Sequence, residues 1–163
     1  MRKIFGMVAV FATAFLQKNF AQDISKQFTL SPLLSSYYSI KDALAGSNAN
    51  HAAAKANEFV KAAGDVDMNS MTPTEHQAFM PLKEKLVSGA KLISETKDLT
   101  RQREHFKTFS DNFYLLAKAV KLSSDPIYQQ YCPMKKAHWL SSEAVIKNPY
   151  FGKQMLTCGK VTA

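Results

Sequence analysis

The sequence predicts an all-α protein, an up-and-down antiparallel four-helix bundle that ends in an irregular C-terminal clasp. Four segments repeat apolar residues at three-to-four spacing, which is the period of an amphipathic helix. Proline, glycine and capping residues mark the ends of these segments, and the loops between them are short. The alternating polar and apolar pattern that is typical of a half-buried strand is missing from the sequence.

The first two helical segments lie at residues 31–46 and 48–64. In the first, Ser31 is expected to cap the helix, and Pro32 suits the first helical position because proline has no N–H to donate there. The second segment is rich in alanine, and its small side chains would let a neighbouring helix approach closely. Each segment ends at a glycine, which favours a helix terminus.

The third and fourth segments carry the more specific helix signals. Thr72 is followed three residues later by Glu75, which predicts a capping box at the start of the third helix. Pro81 lies about two turns further on and is expected to kink this helix or split it in two. The fourth segment covers residues 98–122. The common core of the four helices is expected to contain Tyr37, Leu44, Phe59, Leu86, Phe106, Phe113 and Leu116.

Residues 1–21 have the features of a secretory signal peptide. Arg2 and Lys3 precede an apolar run of about 13 residues, which is too short to span a bilayer. Cleavage after Ala21 would leave residues 22–163 as a single helical-bundle domain, with a C-terminal motif segment at residues 127–161. The protein is then expected in the periplasm or outside the cell, without stable membrane insertion. An uncleaved membrane anchor is the alternative.

The charge pattern bears on the class of partner. Removal of the signal peptide lowers the formal net charge from +8 to +5, because this segment contains Arg2, Lys3 and Lys18 and no acidic residue. The remaining lysines are spread along the helices, whereas a nucleic-acid-binding face gathers its basic residues in a patch. The sequence also lacks a nucleophile beside a histidine base. It therefore predicts neither a nucleic-acid partner nor an enzyme.

Residues 131–159 hold both cysteines of the chain and its only tryptophan. Cys132 and Met134 are two positions apart, which puts both side chains on one face of an extended segment. Met155 and Cys158 are three positions apart, which does the same on a helical turn. If the chain folds back between the two pairs, two thiols and two thioethers converge on one point.

Thiolate and thioether are soft donors, which select monovalent copper over zinc, calcium or magnesium. A copper site at these four residues is therefore one interpretation of the segment, with His105 and His138 as further candidate ligands. The alternative is a Cys132–Cys158 disulfide, which would close a loop of about 25 residues and contribute on the order of 3 kcal/mol in the chain-entropy model. The tail would then be the stapled clasp of an interaction module that binds no metal. The spacing alone leaves both possibilities open.

The pattern YCPM…WLS…I.NPYFG..ML.CG at residues 131–159 resembles the C-terminal signature of a family of exported Gram-negative domains of unknown function. The helical stretches YYSIKDALAGSN, EHQAFM and RQREHFKTFSDNFYLLAKAV resemble the same family, so the resemblance covers roughly residues 28–161. Members of this family also occur attached to periplasmic adaptor subunits of heavy-metal efflux pumps, and are associated with copper handling. The resemblance implies a copper ion as ligand, and an efflux adaptor or another exported copper protein as partner.

Beside the four sulfur residues, the resemblance carries a set of structural motif positions over to this chain: Trp139, Asn148, Pro149, Tyr150, Phe151, Gly152 and Gly159. One departure stands next to the aromatic–Leu–Ser step, where the family often has a glycine. This chain has Ala137 and His138 there, which would tighten the turn or add a donor.

Overall fold

The computed structural model describes residues 29–163, so the predicted signal peptide lies outside the described residues. This part of the chain is mostly helical. Four α-helices follow one another: α1 Ser31–Ala45, α2 Ala49–Gly64, α3 Pro73–Ser94 and α4 Leu99–Ala119. Three strands come after them: β1 Tyr128–Cys132, β2 Ala137–Ser141 and β3 Lys160–Val161. Short 3₁₀ turns lie at Met68–Ser70 and Gly152–Gln154.

The capping box predicted at the start of α3 is confirmed. The Thr72 hydroxyl accepts a hydrogen bond from the Glu75 backbone N–H at 3.2 Å, and the Glu75 carboxylate accepts one from the Thr72 N–H at 2.8 Å. The start of α1 differs from the prediction, because Leu30 occupies the N-cap position and contributes no side-chain cap. Ser31 is already inside the helix, one residue before Pro32.

Pro81 lies inside α3 without splitting it, and a single helix runs from Pro73 to Ser94. Proline removes one backbone hydrogen bond and crowds the preceding turn. On either side of it, Phe79 and Leu86 are fully buried. Burial of this kind is what stabilises most helices in proteins, and here it acts on both halves of the helix.

The core lies between the four helices. All seven residues predicted for it are fully buried. Each helix packs on its neighbour in sequence, and α1 also reaches α4. At this contact the Tyr37 and Phe113 rings stack with their centroids 4.5 Å apart. Between α2 and α4, Phe59 meets Phe109 edge-on at 4.9 Å. Pairs of aromatic rings in these arrangements add stabilisation beyond the area they bury.

The prediction of an all-α protein with an irregular clasp is wrong at the C-terminus. Residues 128–161 contain a three-stranded antiparallel sheet in the order β2-β1-β3. β1 and β2 form a hairpin in which Tyr128 pairs with Ser141 and Cys132 with Ala137. The two-residue strand β3 pairs with the other edge of β1. The physical reason for the error is that β1 contains polar residues at both parities, so the strand leaves no clear alternation in the sequence.

β2 is the strand that lies against the helices, mainly against α4. The sheet therefore rests on the helices by one of its edges. Among residues 29–163, no helix combines the length and the apolar character that crossing a membrane requires.

Candidate functional site

The two cysteines lie at the same end of the small sheet. Cys132 is the last residue of β1 and is fully buried. Because Tyr131 pairs with Lys160, extending the register by one position puts Gly159 opposite Cys132. Cys158 is the residue before Gly159 and is partly exposed. Both cysteines are free thiols in the structure.

The two predicted methionine ligands are nearby along the chain and more open to solvent. The Cys158 N–H donates to the Met155 carbonyl at 3.1 Å, so these two residues share one tight turn. Met155 is 36% exposed. Met134 lies in the turn between β1 and β2 and is 61% exposed. The arrangement therefore has a buried thiol, a partly exposed thiol and two exposed thioethers around one end of the sheet.

The two candidate histidines lie elsewhere. His138 pairs with Tyr131 across the hairpin, with ring centroids 4.6 Å apart, so its side chain leaves the sheet on the face opposite to Cys132. His105 lines a groove of about 600 Å³ between α3 and α4, away from the tail. Within residues 29–163, no cluster of three or more His, Cys, Asp or Glu side chains has the arrangement of a metal site. That finding does not extend to methionine sulfur.

Asn148 organises the loop that precedes β3. It is fully buried, and its side-chain N–H donates to the Cys158 carbonyl at 2.6 Å. Its side-chain oxygen accepts from the Tyr150 N–H at 2.8 Å, and its backbone carbonyl accepts from the Gly152 N–H at 2.9 Å. Asn148 thus closes the NPYFG turn and fixes the backbone at Cys158.

Arg103 of α4 ties the same turn to the helices. Its Nε donates to the Pro149 carbonyl at 3.0 Å, and its Nη2 donates to the Leu44 carbonyl at 3.2 Å and to the Ser47 hydroxyl at 3.0 Å. The contact leaves no room at Gly152, where a Cβ would collide with the Ser47 and Arg103 side chains. Gly152 also has φ +56°, a conformation that glycine adopts without strain.

A hydrogen-bonded network covers the free edge of β2. The Tyr37 hydroxyl accepts from the Leu140 N–H at 3.0 Å and lies 2.6 Å from the Ser110 hydroxyl. The His138 carbonyl accepts from Ser110 at 3.2 Å and from the Tyr150 hydroxyl at 2.5 Å. Edge strands need such cover, because their unpaired N–H and C=O groups otherwise invite pairing with other chains.

Burial raises the pKa of both tyrosines in this network. The pKa of Tyr37 lies well above its usual range for this reason, and hydrogen bonds from Leu140 and with Ser110 oppose the shift in part. Burial likewise raises the pKa of Tyr150. Both phenols therefore stay protonated at physiological pH and remain available as hydroxyl donors.

Trp139 and Gly159 complete the inner face of the sheet. Trp139 is almost fully buried. A Cβ on Gly159 would come within 2.9 Å of the Trp139 ring and 3.0 Å of the Tyr131 carbonyl oxygen. Phe151 is partly buried, and the Lys135 ammonium lies over its ring, 5.4 Å from the ring centroid. Most of the motif positions named from the resemblance thus pack the tail against the helices or against itself.

Sequence reasoning missed Arg103 and Ser110. It also missed that the Tyr37 hydroxyl accepts a hydrogen bond from the Leu140 N–H. The acceptors of Arg103 are mainly backbone carbonyls, which leave no trace in a sequence. Ser110 lies among the buried aromatic residues of α4. The one signal in the sequence was a serine next to the aromatic residues of the apolar helix face.

The fold and the tail define a four-helix protein with a C-terminal sheet docked by its edge. Over residues 33–125, the chain matches the family described as "Protein of unknown function (DUF3347)", and it belongs to that family. The matched region covers nearly all of the four helices and ends before β1. No curated protein and no solved structure matches the chain.

Proposed function

We propose that this protein binds a soft metal ion, with monovalent copper as its cargo, through Cys132, Cys158, Met134 and Met155. The function is binding and transfer, and no catalytic step is assigned to it. The observation that supports the proposal is that two free cysteines lie near the same end of the sheet, each with a methionine in the adjoining turn. A donor set of thiolate and thioether prefers monovalent copper to harder ions.

Exposure suggests an order of events within the proposed site. Met134 and Met155 are open to solvent and would meet the ion first, while the thiols are more protected. Each cysteine that binds must lose its proton, so copper binding releases protons and strengthens as the pH rises. Asn148 holds the Cys158 backbone in position throughout. His138 is left out of this ligand set because it lies on the face of the sheet opposite to Cys132, and His105 because it lines the groove between α3 and α4.

The cellular setting is part of the same proposal. The basic and apolar start of the chain supports export to the periplasm, and the tail signature supports a copper-handling partner such as the adaptor of a heavy-metal efflux pump. We also propose that the four helices form an up-and-down antiparallel bundle. Its support is that each helix packs on its sequence neighbour and that α1 reaches α4.

A second function is favoured by a different observation. Most tail motif residues, with Asn148 and Tyr150 as examples, are engaged in contacts that dock the tail. An interaction module would need only this docking. In an oxidising compartment Cys132 and Cys158 could then pair, because both are free thiols and Cys158 directly precedes Gly159, the residue opposite Cys132.

The two functions differ in their response to loss of a single sulfur atom. The experiment titrates the fully reduced, exported protein with monovalent copper against a competing chelator, for the wild type and for Met155→Leu, Met134→Leu and Cys158→Ser. Met80→Leu is the matched control, because Met80 is an exposed methionine on α3. Leucine keeps the volume, so stability should change by less than about 1.5 kcal/mol.

A copper site predicts that the three tail variants bind copper at least about tenfold more weakly, since each tenfold step corresponds to a ligand contribution of about 1.4 kcal/mol. Met80→Leu should bind like the wild type. Unchanged affinity in all the tail variants, or no binding by the reduced wild type, would leave the interaction module as the better account.

A further inference from the structure

We propose that a cavity of about 290 Å³ between α4, the β1–β2 turn and Phe151 binds a small oxyanion that carries two negative charges. We call it the basic cavity. Its lining includes Arg103 and Lys107 from α4 and Lys135 from the turn. The inference is independent of copper, because none of the four sulfur residues lines this cavity.

The charges that line the basic cavity are unbalanced. Arg103 and Lys107 are four residues apart on α4, so both side chains lie on the same helix face. Lys135 adds a third positive charge from the β1–β2 turn, and Glu104 is the one carboxylate in the lining. The cavity therefore has a formal charge of +2, which matches a dianion.

Arg103 has a binding group to spare. Its Nε and Nη2 donate to neutral oxygen atoms, and within residues 29–163 its Nη1 has no hydrogen-bond partner. No carboxylate in that range lies within 4.0 Å of Arg103, Lys107 or Lys135. Partial burial lowers the pKa of Arg103, because desolvation disfavours the charged guanidinium. A bound oxyanion would compensate this charge.

The third cation is positioned by an aromatic ring. The Lys135 ammonium lies 5.4 Å from the centroid of Phe151, within the range of a cation–π contact. This contact connects the β1–β2 turn with the NPYFG segment at the rim of the cavity. The volume is near the lower end of the roughly 300–1,000 Å³ that is common for ligand pockets, so a phosphate group or a short dicarboxylate suits it.

Isothermal titration calorimetry of the full exported protein with inorganic phosphate, and separately with succinate, tests the inference at constant ionic strength. We expect saturable one-to-one binding of at least one probe, and the stronger probe identifies the class of oxyanion. Lys135→Gln and Lys107→Gln should each weaken binding about tenfold, because each removes one charge-assisted hydrogen bond. Glu104→Gln should strengthen it, since it removes the opposing charge.

Lys118→Gln is the matched control, because Lys118 is an exposed lysine of α4 outside the cavity. It changes the net charge by the same amount and should leave the affinity unchanged. Lys107 also interacts with Asp111, whose pKa is raised by burial and partly lowered again by this lysine, so Lys135→Gln is the cleaner variant. No saturable binding of either probe would overturn the proposal. So would equal weakening by Lys118→Gln and Lys135→Gln, which would indicate a general charge effect.

Discussion

Arg103 donates a hydrogen bond from Nε to the carbonyl of Pro149 at 3.0 Å, and this contact joins the last helix to the NPYFG turn of the tail. The same guanidinium also reaches the α1–α2 connection through Leu44 and Ser47. Three parts of the chain that are distant in sequence therefore meet at one side chain. The tail is therefore a structural element that is docked on the helices.

Replacing Arg103 with methionine should lower the free energy of unfolding by about 2–3 kcal/mol, because the substitution leaves several carbonyl groups without their charged donor. Urea unfolding followed by circular dichroism measures the change. Arg101→Met is the matched control on the same helix, since Arg101 is exposed, and it should shift the stability by less than about 0.5 kcal/mol. Equal losses in the two variants would mean that Arg103 does not anchor the tail.

Gly152→Ala should destabilise the protein by about 1–3 kcal/mol, since alanine is strained at positive φ and its Cβ would meet Ser47 and Arg103. Gly64→Ala is the control, because Gly64 ends α2 and a Cβ there has no atom within 4 Å. That change should be neutral or stabilise the protein by up to about 1 kcal/mol, since alanine favours the helix. Thermal unfolding of both variants provides the comparison. A harmless Gly152→Ala would show that the turn can shift away from α1.

The sequence was sufficient to predict the parts of the fold that depend on neighbours in the chain. The Thr72 capping box and the buried faces of the helices follow from residues three or four positions apart. These signals are local, so they survive without knowledge of the tertiary structure. The seven core residues were predicted for the same reason.

The sheet and its docking could not be predicted in this way. β1 has two adjacent glutamines, and its pairing partners are supplied by β2 and by a two-residue strand about 30 positions later. Two backbone groups at the edge of β2 bond to helix side chains. The Leu140 N–H donates to Tyr37, 103 residues away, and the His138 carbonyl accepts from Ser110, 28 residues away. Such contacts depend on the finished fold. For the candidate site, the sequence predicted the sulfur residues, while the buried state of Cys132 emerged only from the sheet.

The Tyr37 hydroxyl is the link between α1 and the sheet, and its removal is the most selective test of edge docking. Tyr37→Phe would keep the ring stacked on Phe113 and remove only the oxygen that accepts from the Leu140 N–H. The buried N–H would then lack its partner, so we expect a loss of about 1–3 kcal/mol in the free energy of unfolding. Hydrogen exchange should also show faster exchange at Leu140 than in the wild type.

The neighbouring residue provides the control for this last prediction. The Tyr38 hydroxyl is buried, and within residues 29–163 it has no hydrogen-bond partner. Burial raises the pKa of Tyr38 to about 12, which is consistent with a phenol that gains nothing from its surroundings. Tyr38→Phe should therefore be neutral or slightly stabilising, because it removes a buried polar atom that is unpaired. If Tyr38→Phe lowers the free energy of unfolding as much as Tyr37→Phe does, the loss is not specific to the hydrogen bond from Leu140. The edge of β2 is then held by other contacts.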